Sequence, residues 1–190
     1  MGPMILITGL LSLCTTCGPG VHPATTQSII EVESAGNPLA IHDNISKSAF
    51  RPSTKEEAVK IASHLIAQGH SVDMGLMQIN SQHLRRKDLD LEQLFEPCYN
   101  IKTGTKILAE FYSHHRRKNP QEPDDIILLK ALSSYNTGTP YNGKSYVSKI
   151  LRKAGYTGIK DNTPTFQRFA NMPIIRSIRN AAFFRKESTP

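Results

Sequence analysis

Apolar positions recur at helical spacing along most of this chain, and prolines, glycines and short polar residues mark where each run starts and stops. Gly18-Pro19-Gly20 breaks the chain, and Pro23 then opens a helix that carries Ile29, Ile30 and Val32. Asn37-Pro38 is expected to end it, since the residue before a proline avoids the helical region. Residues 39 to 52 are mixed and read as loop, with room for a short strand. Ser53 with Glu56 has the spacing of a capping box, which predicts a helix over Thr54 to Gln68 stopped by Gly69. Ala58, Ile61, Ala62, Leu65 and Ile66 give that helix one apolar face. Gly75-Leu76-Met77-Gln78-Ile79-Asn80 reads as an apolar turn bearing two amides.

In the second half, Asp90 is expected to cap a short helix through Leu94, and Pro97 to begin a long one reaching about His115. Ile101, Thr105, Leu108 and Tyr112 stack along the long helix, with Gly104 allowing a neighbour to approach. Asn119-Pro120 and Glu122-Pro123 make a linker of turns. Asp124 then caps a helix over Asp125 to Asn136 that stops at Gly138, and a last one runs from about Ser145 to Ala154. From Tyr156 the pattern weakens into a basic tail. Six Lys or Arg there face Asp161 and Glu187, a local charge of +4. Ile174, Ile175, Ile178, Phe183 and Phe184 make this tail too apolar for a plain linker.

Glu33 breaks the expected polarity. At about 100° per residue it falls four positions after Ile29, inside the apolar stripe, whereas Glu31 falls on the opposite side. A carboxyl held among apolar groups loses hydration and stays protonated nearer neutral pH, as a general acid must. On the pattern alone, a helix-end carboxylate with its head in water is the simpler reading.

Composition narrows the classes. The 190 residues suffice for one domain with a real core, and 38% hydrophobic with 21% charged is globular. The net charge of +7 favours an anionic partner. Arg85-Arg86-Lys87 and Arg116-Arg117-Lys118 are not interleaved with aromatics, so nucleic-acid binding is not expected. Neither the three cysteines (Cys14, Cys17 and Cys98) nor His114-His115 has the spacing of a zinc site, and no metal is expected. The apolar residues of Met1 to Cys14 resemble the middle of a secretory signal. However, no basic residue precedes them and Gly9 interrupts them, so a signal remnant (residues 1–16) and a first helix both stay open. Nothing in this stretch is long enough to span a bilayer.

Three separated pieces carry chemistry together: Glu33-Ser34 before Asn37-Pro38, the Gly75 to Asn80 turn, and Ala131-Leu132-Ser133-Ser134-Tyr135-Asn136-Thr137-Gly138. In this order they resemble the goose-lysozyme-like lytic transglycosylases, over roughly residues 17 to 154. Asn37-Pro38-Leu39-Ala40-Ile41-His42-Asp43-Asn44 and Phe95-Glu96-Pro97-Cys98-Tyr99-Asn100-Ile101 look closest to the VirB-type branch that accompanies type IV secretion systems. The resemblance implies a mainly α, lysozyme-like (goose-type, SLT) single domain over residues 17–155, with at most a small β region and the tail of 156–190 appended. It also implies a Cys17–Cys98 disulfide, hence an oxidising compartment (periplasm or cell envelope), although the export signal here is weak or truncated.

By the same resemblance the expected activity is cleavage of the MurNAc–GlcNAc bond of peptidoglycan, without a cofactor. Glu33 would be catalytic, with Ser34, Met77, Gln78, Tyr135 and Asn136 binding substrate. The expected partners are glycan strands and components of a type IV secretion system, with membrane association not required. Gln78 offers a donor and an acceptor to sugar groups, Met77 an adaptable apolar wall, and Tyr135 an inward hydroxyl for Glu33 or an acetamido group. One departure is His42, which stands where many relatives have a substrate-orienting serine. The VirB-type branch shares it, a structural histidine is the simpler reading, and the serine's role does not transfer. Asp73 is the nearest candidate for the second carboxylate that ordinary glycosidases require. A lysozyme-type hydrolase and a non-catalytic wall-binding assembly protein remain the rivals.

Overall fold

The computed structural model describes residues 7–155, and the basic tail expected from Tyr156 onward lies outside them. Seven helices and a small antiparallel sheet make up the described part, the mainly helical, lysozyme-like architecture that the motifs implied. The helices are α1 (Ile7–Cys17), α2 (Pro23–Glu33), α3 (Lys55–Ala67), α4 (Gln82–Lys87), α5 (Pro97–Lys118), α6 (Asp124–Thr137) and α7 (Lys144–Lys153). The strands are β1 (Ile41–Asp43), β2 (Ser48–Phe50), β3 (Val72–Met74) and β4 (Ile79–Asn80), hydrogen-bonded in the order β2-β1-β3-β4. None of the described helices is long and apolar enough to cross a membrane.

The long α5 runs along α6 and touches α1, while α2 packs between α1 and α7. Leu10 and Cys14 of α1, Ile29 and Ile30 of α2, Ile101 and Leu108 of α5, Leu128 and Leu132 of α6, and Val147 and Ile150 of α7 meet in one core. α1 is therefore part of the packed body. A disulfide joins Cys17 at its end to Cys98 at the start of α5. Cys14 is the remaining thiol among the described residues, and burial pushes its pKa up to about 12, so it stays protonated and unreactive.

Several boundaries differ from expectation, each for a local reason. α2 ends at Glu33 rather than at the proline, because Ala35 and Gly36 both adopt positive φ (54° and 79°) and reverse the chain. Asn37 instead makes a turn, its Oδ1 accepting from Leu39 N at 2.9 Å. The capping box of α3 lies one residue later than Ser53/Glu56. Thr54 Oγ1 accepts from Glu57 N at 3.2 Å while Glu57 Oε2 accepts from Ser53 N at 2.9 Å. Asp124 does not cap α6. Pro123 holds the cap position, and Asp124 accepts from Tyr112 and from Arg116. The helix expected after Asp90 is only a 3₁₀ turn, Gln93–Phe95, and the short α4 has no counterpart in the apolar pattern. The stretch 39–52 supplies β1 and β2, paired with Ile41 opposite Phe50.

Candidate active site

Glu33 is the last residue of α2, which places its carboxyl where the helix meets the sheet. It lies at the junction of two open cavities of about 420 and 460 Å³. Glu31, two residues earlier, accepts from Gln27 Nε2 at 2.9 Å and pairs with Lys153 of α7 at 3.5 Å. The described hydrogen bonds include none to Glu33. Burial pushes the Glu33 pKa from an ordinary 4.5 up to about 7. The Tyr146 hydroxyl offsets part of that rise and the negative charge of Asp73 adds to it.

Strand alternation supplies the opposite wall. Ile41, Val72, Met74 and Ile79 point into the core. His42, Asp73 and Asn80, adjacent in register across β1, β3 and β4, share the other face. Asp73 is held by two amides, Asn44 Nδ2 to its Oδ2 and Asn80 Nδ2 to its Oδ1, both at 2.7 Å. Burial raises its pKa, while these two bonds and nearby His42 pull it down. Asp73 and Asn44 line both cavities together with Glu33, Gln78 and Asn136. His42 lines the 460 Å³ one. Asp43, facing the other way, accepts from Ser46 and meets His70 Nδ1 at 2.8 Å. These partners, Ser46 foremost, hold its pKa well below the usual range and pin the β1–β2 turn.

The turn between β3 and β4 is held from beneath by Asn100 of α5. Its Oδ1 accepts from Met77 N at 2.8 Å, and its Nδ2 donates to Met74 O at 3.0 Å and Leu94 O at 2.7 Å. Gly75 has φ +77°, and a Cβ there would stand 2.1 Å from Asn100 Nδ2, so only glycine fits. Gln78 also has positive φ (48°), a strained backbone fixed by its own amide, which donates to Ala40 O at 3.1 Å and Gly75 O at 2.9 Å. With both amide hydrogens used, Oε1 is the group left for a ligand.

The remaining expected residues take differing places. Ser34 is buried and lines the 460 Å³ cavity, its Oγ donating to Leu76 O at 2.8 Å, which ties α2 to the turn. Met77 is fully buried, with its side chain against Gly104 rather than in the cleft; a Cβ on Gly104 would stand 2.5 Å from its Sδ. Tyr135 lines the 420 Å³ cavity and donates to Met77 O at 2.8 Å, not to Glu33. Asn136 is exposed beside it.

Tyr146 of α7 escaped the sequence reading. Its buried hydroxyl has no partner at hydrogen-bond geometry, yet it stands close enough to Glu33 to stabilise the carboxylate. The pair is poised rather than bonded. The signal available was the one used for Tyr135: a tyrosine on an apolar stripe, here with Val147 and Ile150. Asn44 and Asn80 were also missed as ligands of Asp73. The described residues contain no cluster of three or more metal-ligating side chains.

The site is therefore a cleft with a raised-pKa acid on one wall, a clamped carboxylate on the other, and amides and tyrosines between. Residues 13–153 match the family described as Transglycosylase SLT domain. The chain is 32% identical over 136 residues to Protein virB1 of Agrobacterium fabrum (strain C58), covering 70% of this chain and 54% of that protein. It is 32% identical over 179 residues to Type IV secretion system protein virB1 of Brucella suis biovar 1, covering 90% and 71% respectively. The corresponding protein of Brucella abortus biovar 1 (strain 9-941) is 33% identical over 154 residues, 77% of this chain and 64% of that protein. No solved structure gives a significant match. With the family's domain spanning residues 13–153 of the packed body and the three sequence pieces lining one cleft, this chain belongs to the transglycosylase SLT domain family.

Proposed function

We propose that this protein is a lytic transglycosylase that cuts the MurNAc–GlcNAc β-1,4 bond of peptidoglycan and leaves 1,6-anhydromuramyl ends. The observation that carries the reading is Glu33, a carboxyl held half-protonated near neutrality at the centre of a long cleft. Protonated Glu33 gives its proton to the glycosidic oxygen as the C1–O bond breaks, and the substrate's acetamido group supports the positive charge at C1. Ionised Glu33 then takes the proton from the sugar's 6-hydroxyl as that oxygen bonds to C1. The acid is thereby regenerated and no water is consumed. Tyr146, facing Glu33 with an unpaired hydroxyl, stabilises the carboxylate between the two proton transfers. Gln78 Oε1 and Asn136 are assigned to hydroxyl and N-acetyl groups of the glycan, and Ser34 to holding the Glu33 end of α2 on the turn.

The relatives named for type IV secretion support a role in opening the wall locally for such an apparatus, with action in the periplasm or envelope. The disulfide and the net charge of +7 fit an oxidising compartment and an anionic polymer. One observation favours a second reading, a muramidase that adds water: Asp73 lines both cavities that meet at Glu33 and could hold a nucleophilic water. Mass analysis of products from purified peptidoglycan separates them, with Glu33→Gln as control. Anhydro ends that vanish in the variant are expected. Reducing ends, heavier by one water, would make the protein a hydrolase, and no soluble product from either protein would leave only wall binding.

A further inference from the structure

Strand register lays a row of side chains across the whole sheet. Ala49 of β2 stands opposite His42 of β1, His42 opposite Asp73 of β3, and Asp73 opposite Asn80 of β4. Three interstrand steps of about 4.8 Å make this row roughly 14 Å long, more than the length of a disaccharide. The row also runs from one cavity into the other. Ala49 and His42 line the 460 Å³ cavity, Asp73 lines both, and Asn80 lines the 420 Å³ one. Glu33, which also lines both, therefore belongs to the middle of the row and not to an end. Each volume lies within the range of roughly 300–1,000 Å³ that takes a small-molecule ligand, so sugars fit on both sides of Glu33. Both far rims carry exposed residues. Ala49 and Arg51 stand at β2, an edge strand of the sheet, and Gln82 and Arg86 of α4 stand at the other end. A strand lying along the row can leave into solvent past each rim. An enzyme that trims strand ends must instead stop the strand a fixed number of sugars beyond the cut.

We propose that the protein cuts internal bonds of long glycan strands instead of releasing units from strand ends. The strand lies across the sheet from Ala49 to Asn80 and continues past both rims. The proposal rests on the peptidoglycan reading and deepens it by naming the strand interior as the substrate. The test digests long strands, freed from sacculi by an amidase, with the unaltered protein. Size-exclusion chromatography follows strand length, and mass analysis identifies the new ends. Internal cutting should halve the mean length after one cut per strand, while disaccharide is still scarce. Disaccharide released from the outset, beside strands of nearly full length, would overturn the proposal. The chemistry of the ends is scored separately. Shortened strands with reducing ends would overturn the transglycosylase reading and support internal cutting, and anhydro disaccharides alone would do the reverse. A variant tests the path of the strand. Ala49→Trp fills the β2 rim at an exposed position and should lower kcat/KM on long strands about tenfold. An unchanged rate would remove the strand from that rim and overturn the proposal.

Discussion

Glu31 and Glu33 are two residues apart on one helix and meet opposite environments. Glu31 reaches Lys153 at the surface, while Glu33 turns onto the apolar stripe and loses its water. That stripe was legible in the sequence, and so was the sign of the pKa shift, because burial always disfavours the charged carboxyl. With a folded pKa of about 7, Glu33 is protonated below that value, so kcat/KM should fall tenfold per pH unit on the alkaline side. Two substitutions should move this limb in opposite directions. Tyr146→Phe removes the group that stabilises the carboxylate and should shift the limb to higher pH. Asp73→Asn removes a like charge and should shift it to lower pH. Full pH–rate profiles of both variants check this, and limbs moving the same way would deny both contacts with Glu33.

Among the elements, the β3–β4 turn shows how a local motif depends on a distant residue. Gly75 could be marked as a turn glycine, but its need for Asn100 could not, since 25 residues separate them in sequence. Asn100 satisfies one buried N–H and two buried carbonyls. Asn100→Ala would orphan all three and should cost roughly 3 kcal/mol of stability, read by urea denaturation. The turn, no longer fixed, should also lose substrate affinity, seen as a higher KM. The same limit applies to caps. Ser53/Glu56 and Thr54/Glu57 have identical spacing, and only the actual path of the chain into α3 selects the second. α4 went unseen because its six residues bury no side chain and so leave no periodic apolar signal.

For the molecule as a whole, the Cys17–Cys98 bond closes 81 residues of chain, including α2, the sheet and the turn. In the chain-entropy account a loop of that length is worth roughly 4 kcal/mol. Reduction or Cys17→Ala should therefore lower Tm by about 10 °C, measured by calorimetry at fixed pH. Little change would mean that the α1–α5 packing alone holds the N-terminal helix. Neither cysteine lines the two cavities that meet at Glu33, so residual activity per folded molecule should persist.

Local order and periodic burial along the chain were enough to indicate helical class and to set Glu33 on an apolar stripe, because each depends on neighbours within a few residues. The acid role expected of Glu33 came from the resemblance of the three pieces taken together. Convergence was decided elsewhere. Strand pairing sets His42, Asp73 and Asn80 side by side, Met77 goes to Gly104 and into the core, Tyr135 bonds to Met77 O, and α7 brings Tyr146 to Glu33. Apart from Asp73 and Asn80, seven positions apart, these are contacts between residues tens of positions apart, and only packing of the whole chain brings such residues within hydrogen-bonding or electrostatic range.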